Sequence, residues 1–325
     1  MRLGHLTFGY LARKVGWALL TIFFVLTVNF FLFRIMPGDP VALLSRSQRL
    51  TPEAIAEQRQ LYGLDQPLLQ QFFTYLHQTL TGQFGASLVS AQPVTEVIGA
   101  RIWPTVLLVG TGTVLAVLIG VLAGIRSGWF RGSTFDRGSL YSSLLLYATP
   151  EGWLGMLLII VFAGTLGWFP SGGLSTGDFT GLAQVGDVLS HLVLPVATLT
   201  LAYVGQFLIV MRSSMLEVKE EDFVTVGRAV GLPDRLVRRR HVVPNAVLPS
   251  FTLIVLSFGF VLGGAIVIET VFSWPGLGQL TYRAIESQDY PVLQAVFLLS
   301  SAAVVLANLV ADIAYGFLDP RIEDV

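Results

Sequence analysis

Six apolar stretches, each long enough to cross a bilayer, leave this chain almost no soluble solution. A helix needs roughly 20 apolar residues to span a ~30 Å hydrocarbon core. Without water in that core, every backbone polar group must be paired inside the segment. Val15–Ile35, Pro104–Ile125, Leu140–Phe169, Val188–Met211, Pro249–Thr270 and Val292–Phe317 meet the requirement. The sequence therefore predicts an all-α polytopic membrane protein with six transmembrane helices. Charged residues are 13% of the chain, about half the ~25% of soluble domains.

The first apolar run is longer than the ~7–15 residues of a signal-peptide core, and no small-x-small site precedes Pro37, so it reads as a retained span. Residues 1–14 form a basic N-terminus, 15–36 the first span and 37–103 a long loop. In that loop Thr51-Pro52 starts a helix that Gly63 ends, and Gln66–Leu80 makes a second, amphipathic one. Both are too polar to cross, which predicts a small external helical subdomain. The core, 104–317, carries a small-residue ladder at Gly112, Ala116, Gly120, Gly124 and Gly128, a spacing that lets helix backbones approach closely. Pro150-Glu151-Gly152 interrupts the third span and Pro195 breaks the fourth. Residues 318–325 form a polar tail.

Positive charge sorts by side. Arg34, Arg46, Arg49, Arg59, Arg101 and Arg283 fall on one side, and the remaining Lys and Arg are concentrated on the other. The excess of positive charge marks the inner face, which predicts cytoplasmic N- and C-termini and a cytoplasmic loop at 217–248. That loop, EVKEEDFVTVGRAVGLPDRLVRRRHVVPNAVLP through Pro249, is the most charged segment of the chain. Phe223, Val226 and Val230 share one helical face. Gly231 suits a left-handed helix stop, and Pro233-Asp234 opens a second helix. A two-helix element with apolar and basic faces outside the bilayer is suited to a groove on a partner. A basic segment lying on anionic lipid headgroups needs only the arginines and does not account for the ordered turn.

The chemistry the sequence lacks narrows the function. It contains no cysteine, and His5, His77, His191 and His241 show no metal-ligand spacing. There is no HExxH, and neither Lys14 nor Lys219 sits in a P-loop. Two halves with paired broken spans, the mark of many ion-coupled secondary transporters, are not evident. If transport is ATP-driven, the ATPase must be another chain; an ion-coupled secondary transporter is the alternative. Glu151 stands out, since an ionised carboxylate at mid-bilayer costs roughly 2.5–3.5 kcal/mol on insertion scales. Two readings stay open for it: lining a substrate pathway that favours cationic or amine-bearing solutes, or packing as a hydrogen-bonded group. Asn308 and Asp312 read as partners for neighbouring helices or an interfacial cation. Trp153, Trp168 and Trp274 read as packing or interface anchors.

The loop sequence DFVTVGRAVGLPDRLVRRRHVVPNAVLP resembles the EAA loop of the membrane permeases of ATP-binding cassette importers, the dipeptide, oligopeptide and nickel family in particular. MPGDPV at 36–41, YGLDQPL at 62–68, ETVFSWPGLG at 269–278, DYP at 289–291 and LDPRI at 318–322 match in order, so the resemblance covers nearly the whole chain. Thr225-Val226-Gly227 stands where the family's Glu-Ala-Ala sits, and Glu151 stands where similar permeases carry a neutral residue. The resemblance implies a type I importer permease fold in a bacterial or archaeal cell membrane. It implies a non-catalytic subunit forming half of a pathway for peptides, nickel complexes or oligosaccharides. It assigns ATPase coupling to Asp222, Thr225, Gly227, Arg228, Ala229, Gly231, Leu232, Asp234, Arg235, Arg239, His241 and Asn245. Pathway candidates are Glu151, Trp153 and Glu269. The implied partners are a homologous second permease, two cytoplasmic ATPase subunits, an external binding protein and membrane lipid, with no nucleic acid. No cofactor is expected on this chain; ATP and Mg belong to the ATPase subunits.

Overall fold

The computed structural model describes residues 8–35, 66–177 and 180–318. The expected helix at Thr51–Gly63, the MPGDPV segment and the tail beyond Leu318 lie outside the described residues. Among those described, the chain is helical, and the one β-type contact is an isolated bridge between Ala86 and Pro93. Five helices are long and apolar enough to cross a membrane, and a bent pair supplies a sixth.

Helix α1, Phe8–Ile35, packs along the last helix, α11 (Tyr290–Leu318), and the pair is tied by Lys14 Nζ to Asp312 Oδ2 at 3.0 Å. The short amphipathic α2, Leu68–Leu80, sets Phe72 and Tyr75 against Phe30 of α1. Asn29 fastens this corner, donating to Tyr75 Oη and the Gln294 carbonyl.

Two long helices form the centre. α3 runs Val94–Trp129 and α6 runs Leu182–Lys219. At 1.5 Å per residue α6 is about 57 Å long, well beyond a ~30 Å core. The ladder on α3 seats α6: a Cβ on Gly112, Gly120, Gly124 or Gly128 would strike Leu199, Phe207, Met211 or Met215 in turn. Each step of four on one helix meets a step of four on the other in the same direction. The two helices are therefore parallel and end together, at Trp129 and Lys219. Backbone contact this close maximises dispersion, which matters where lipid tails compete equally for apolar side chains.

Four boundaries differ from the sequence reading, and prolines are involved in most of them. Residues 94–103, read as loop, already belong to α3, which passes through Pro104 into a π-helical turn at Val106–Gly110. Such a turn shifts the bonding register and can leave a carbonyl without its helical donor; the Trp274 indole donates to the Pro104 carbonyl at 2.9 Å. Pro195 does not break α6. Its neighbours Leu192, Leu194, Val196 and Leu199 are all buried in one core cluster, which holds the helix through the missing donor.

The third span, by contrast, is split. α4 (Thr134–Ala148) and α5 (Glu151–Thr165) meet at 101°. Proline disfavours the helical region for the residue before it, and Thr149 is extended at φ −85°, ψ 124°. Finally, α8 runs without a stop from the loop into the fifth span, Asp234–Gly263, through Pro244 and Pro249. It ends at Gly263 rather than Thr270. Gly264, at φ +73°, lies so close to the Gly278 backbone that a Cβ would meet its nitrogen at 2.6 Å. The chain reverses there into α9 (Ile266–Val271) and α10 (Leu277–Glu286).

Candidate functional site

The loop after α6 is an ordered structure docked on the joint end of α3 and α6. α7, Asp222–Ala229, is closed by two reversed bonds: Gly231 N–H to the Arg228 carbonyl at 2.9 Å and Leu232 N–H to the Gly227 carbonyl at 3.2 Å. This pairing requires a left-handed residue between them, and Gly231 supplies it at φ +89°. Pro233 follows in extended conformation and caps α8, accepting from Leu236 and Val237 N–H. Arg228 Nε and Asp234 Oδ1, 3.2 Å apart, span the turn in an exposed ion pair.

The element has two faces. Val224 and Val237 are completely buried with Met211, Met215, Val242 and Ala246, and Leu232 packs against this cluster. Opposite Val224, α7 presents Phe223, Val226 and Val230, with 38, 59 and 76% of their surface exposed. Asp222, Thr225, Arg228, Ala229, Asp234, Arg235 and Arg239 are also exposed, Gly227 and His241 are half-buried, and Asn245 donates to the His241 carbonyl at 2.6 Å. Most of the predicted loop residues thus lie on the outer surface, with an apolar strip on α7 and charged residues beside it, while Leu232 turns inward.

Beneath the loop lies a polar joint that sequence reading missed. Asp136, at the start of α4, takes a bidentate pair from Arg212 of α6 (2.6 and 3.0 Å), with Ser127 Oγ and Gly132 N–H completing its shell. Lys219 Nζ donates to the Trp129 carbonyl at 2.9 Å, so the last residue of α6 caps the negative end of α3. Nothing short of the α3–α6 register brings these residues together.

The pathway candidates do not form one site. Glu151 starts α5 at the bend, half-buried, with a long 3.4 Å contact from Tyr203 Oη. Trp153 points elsewhere and is exposed. Glu269 lines no open space: it is fully buried, accepts from Thr105 Oγ1 and Gln279 N–H at 3.0 Å each, and Thr105 Oγ1 in turn accepts from Leu277 N–H. Trp274, fully buried beside it, is an anchor in the sense the sequence suggested. An open groove of about 920 Å³ lies along the end of α5, lined by Ile159, Ala163, Trp168 and Phe169 among others.

No catalytic arrangement competes. Among the described residues no group of His, Asp and Glu is placed to hold a metal. Gly173-Leu174-Ser175-Thr176-Gly177 spells a hydrolase pentapeptide, but Ser175 Oγ accepts from Gly177 N–H. His191 turns to Asp187, whose carboxylate holds Thr176. With the acid, not the histidine, next to the serine segment, the arrangement ties a loop to α6.

Membrane-length apolar helices with an ordered charged loop at one end define a polytopic membrane protein. The chain belongs to the family of binding-protein-dependent transport system inner membrane components. The family's sequence model matches residues 116–324, and the model for the N-terminal membrane component matches residues 7–109. The glutathione transport system permease protein GsiC of Escherichia coli (strain K12) is 38% identical over 317 residues, covering 96% of this chain and 98% of the relative. The protein of the same name from Salmonella choleraesuis (strain SC-B67) is 37% identical over 313 residues, with the same coverage. In fold, the chain is similar to the MetNI methionine ABC transporter in inward-facing form, with a TM-score of 0.54 at 17% identity over 69% of this chain and 97% of that one. This protein is therefore a non-catalytic, multi-pass inner-membrane subunit of an ATP-driven importer, working with separate ATPase subunits and a substrate-binding protein.

Proposed function

We propose that α7 and its Gly231 turn seat in a cleft on a cytoplasmic ATPase subunit, and that this chain forms half of a pathway for short peptides with a homologous second permease. The observation that carries the reading is the exposed Phe223–Val226–Val230 face on a helix anchored from behind by Val224 and Val237. An apolar strip presented to water by an otherwise well-anchored helix is stable only when a partner covers it. The arginine-rich rim supports a cytoplasmic position for the loop and, with it, for both termini. ATP and Mg stay on the ATPase subunits; this chain binds no cofactor. The GsiC relatives support a peptide-sized, glutathione-like substrate over nickel complexes or oligosaccharides.

Val226→Glu tests the docking. It places a charge at the centre of the strip and is expected to abolish co-purification of the ATPase subunits while the chain still reaches the membrane. Retention of the ATPase subunits by this variant rules the docking face out. For the pathway, the half-buried Glu151 at the bend is the residue assigned to contact solute. Glu151→Gln is expected to lower uptake of peptides with a free amino group about tenfold and spare N-acetylated ones, whereas equal uptake of both removes Glu151 from the pathway.

A further inference from the structure

Three cations converge on one aromatic ring at the base of the loop. Trp129 is the last residue of α3, and its half-buried indole packs on the cluster of Met211, Met215, Val224 and Val237. Lys219 Nζ lies 5.2 Å from the ring centroid, the Arg238 guanidinium 5.6 Å and the Arg228 guanidinium 5.7 Å. All three are within reach of the ring's negative face. They come from three different places: the end of α6, the start of α8 and the last turn of α7. Lys219 also donates to the main chain of α3 itself, at the carbonyls of Trp129 and Gly128.

Three like charges this close repel one another. Asp234 pairs with Arg228, and Asp234 and Glu220 also act favourably on the Lys219 charge. The ring, together with the α3 carbonyls for Lys219, offsets the repulsion further. The indole therefore holds the loop's two helices and the end of α6 to α3, and α3 is locked to α6 by the glycine contacts above it.

We propose that Trp129 is a positioning residue for transport: it makes the loop and the α3–α6 pair move as one body, so that displacement of the loop reaches the membrane helices. This rests on the docking reading above. Docking concerns the outer face of α7, whereas Trp129 acts on its inner side, so the two fail separately.

The absence of cysteine allows a clean distance measurement in the assembled transporter. Spin labels at L118C on α3 and R240C in the loop are compared without nucleotide and after trapping with ATP, Mg and vanadate. With Trp129 intact, the distance is expected to stay fixed between the two states. In Trp129→Leu it is expected to shift by several ångström or broaden, with ATPase subunits still bound and glutathione uptake reduced at least tenfold relative to ATP hydrolysed. Trp129→Tyr, which keeps an aromatic face, is expected to restore the fixed distance. Arg238→Met, a milder change, is expected to give partial broadening and serves if the leucine variant is poorly recovered. The proposal is overturned if the distance changes equally with Trp129 intact, or stays fixed in the leucine and methionine variants. It is also overturned if leucine and tyrosine variants alike shed the ATPase subunits, which makes the ring a folding element.

Discussion

At the level of single residues, the chain concentrates its demands where geometry leaves no choice. Gly231 adopts φ +89°, a conformation that costs an L side chain about 1–2 kcal/mol. Its N–H is also bonded to the Arg228 carbonyl. Gly231→Glu is expected to loosen the turn and lower ATP-driven uptake about tenfold, with the amount of chain in the membrane unchanged. Gly231→Pro, which also removes the N–H and clashes with the required φ, is expected to abolish uptake. Uptake in right-side-out vesicles or cells, set against immunoblots of the membrane fraction, checks both. This glycine was legible because a helix stop followed by Leu-Pro-Asp is a local signal. Glu269 was not. An acid in an apolar run reads as a pathway residue until Thr105 and Gln279, brought from distant positions, are seen to hold it. The same holds for Asp136, whose role depends on Arg212 lying one helix away.

Among the elements, the α3–α6 pair sets the frame. The spacing of Gly112, Gly120, Gly124 and Gly128 announced close packing, but the partner and direction required the fold. Gly124 has the Met211 side chain and the Leu208 carbonyl directly against it. Gly124→Leu is expected to force the helices apart at the level of Asp136–Arg212 and to destabilise the chain by more than the 1–3 kcal/mol typical of core overpacking, because backbone cannot yield as a side chain does. The readout is loss of a monodisperse peak in detergent with a lowered unfolding temperature; Gly124→Ala is the graded control. Proline was the least reliable guide to these elements. Pro150 bends its span through 101° while Pro195, Pro244 and Pro249 sit inside continuous helices. The local sequence is similar in kind at each, and the difference lies in the neighbours: buried flanks hold α6 together, whereas Trp153, two residues past Glu151, is exposed and the α4–α5 break is unsupported on that side.

For the molecule as a whole, the division of labour follows from its family: this chain is the membrane subunit of an ATP-driven importer, and ATP hydrolysis belongs to separate subunits. Proteoliposomes with the assembled transporter and loaded binding protein are expected to accumulate the binding protein's solute only with ATP inside the compartment facing the loop. A proton or sodium gradient alone is expected to drive none; uptake on a gradient without ATP refutes the mechanism. Six spans and the ordered loop were readable because hydropathy and turn signals act along the chain. Which helices touch depends on contacts between segments far apart in sequence, such as Gly112 against Leu199.

The buried clasp at Glu269 sets an order of assembly. Its carboxylate joins Thr105, made early, to Gln279, made late, and Trp274 closes over the Pro104 carbonyl between them. During synthesis Thr105 and the turn after it are made long before their partners exist. The hairpin of α9 and α10 must then find that turn after α8 has been made, bringing a carboxyl group whose polar atoms need those partners. Folding of this end of the protein is therefore completed from its C-terminal third, and a chain arrested before residue 279 is left with an open seam beside α3.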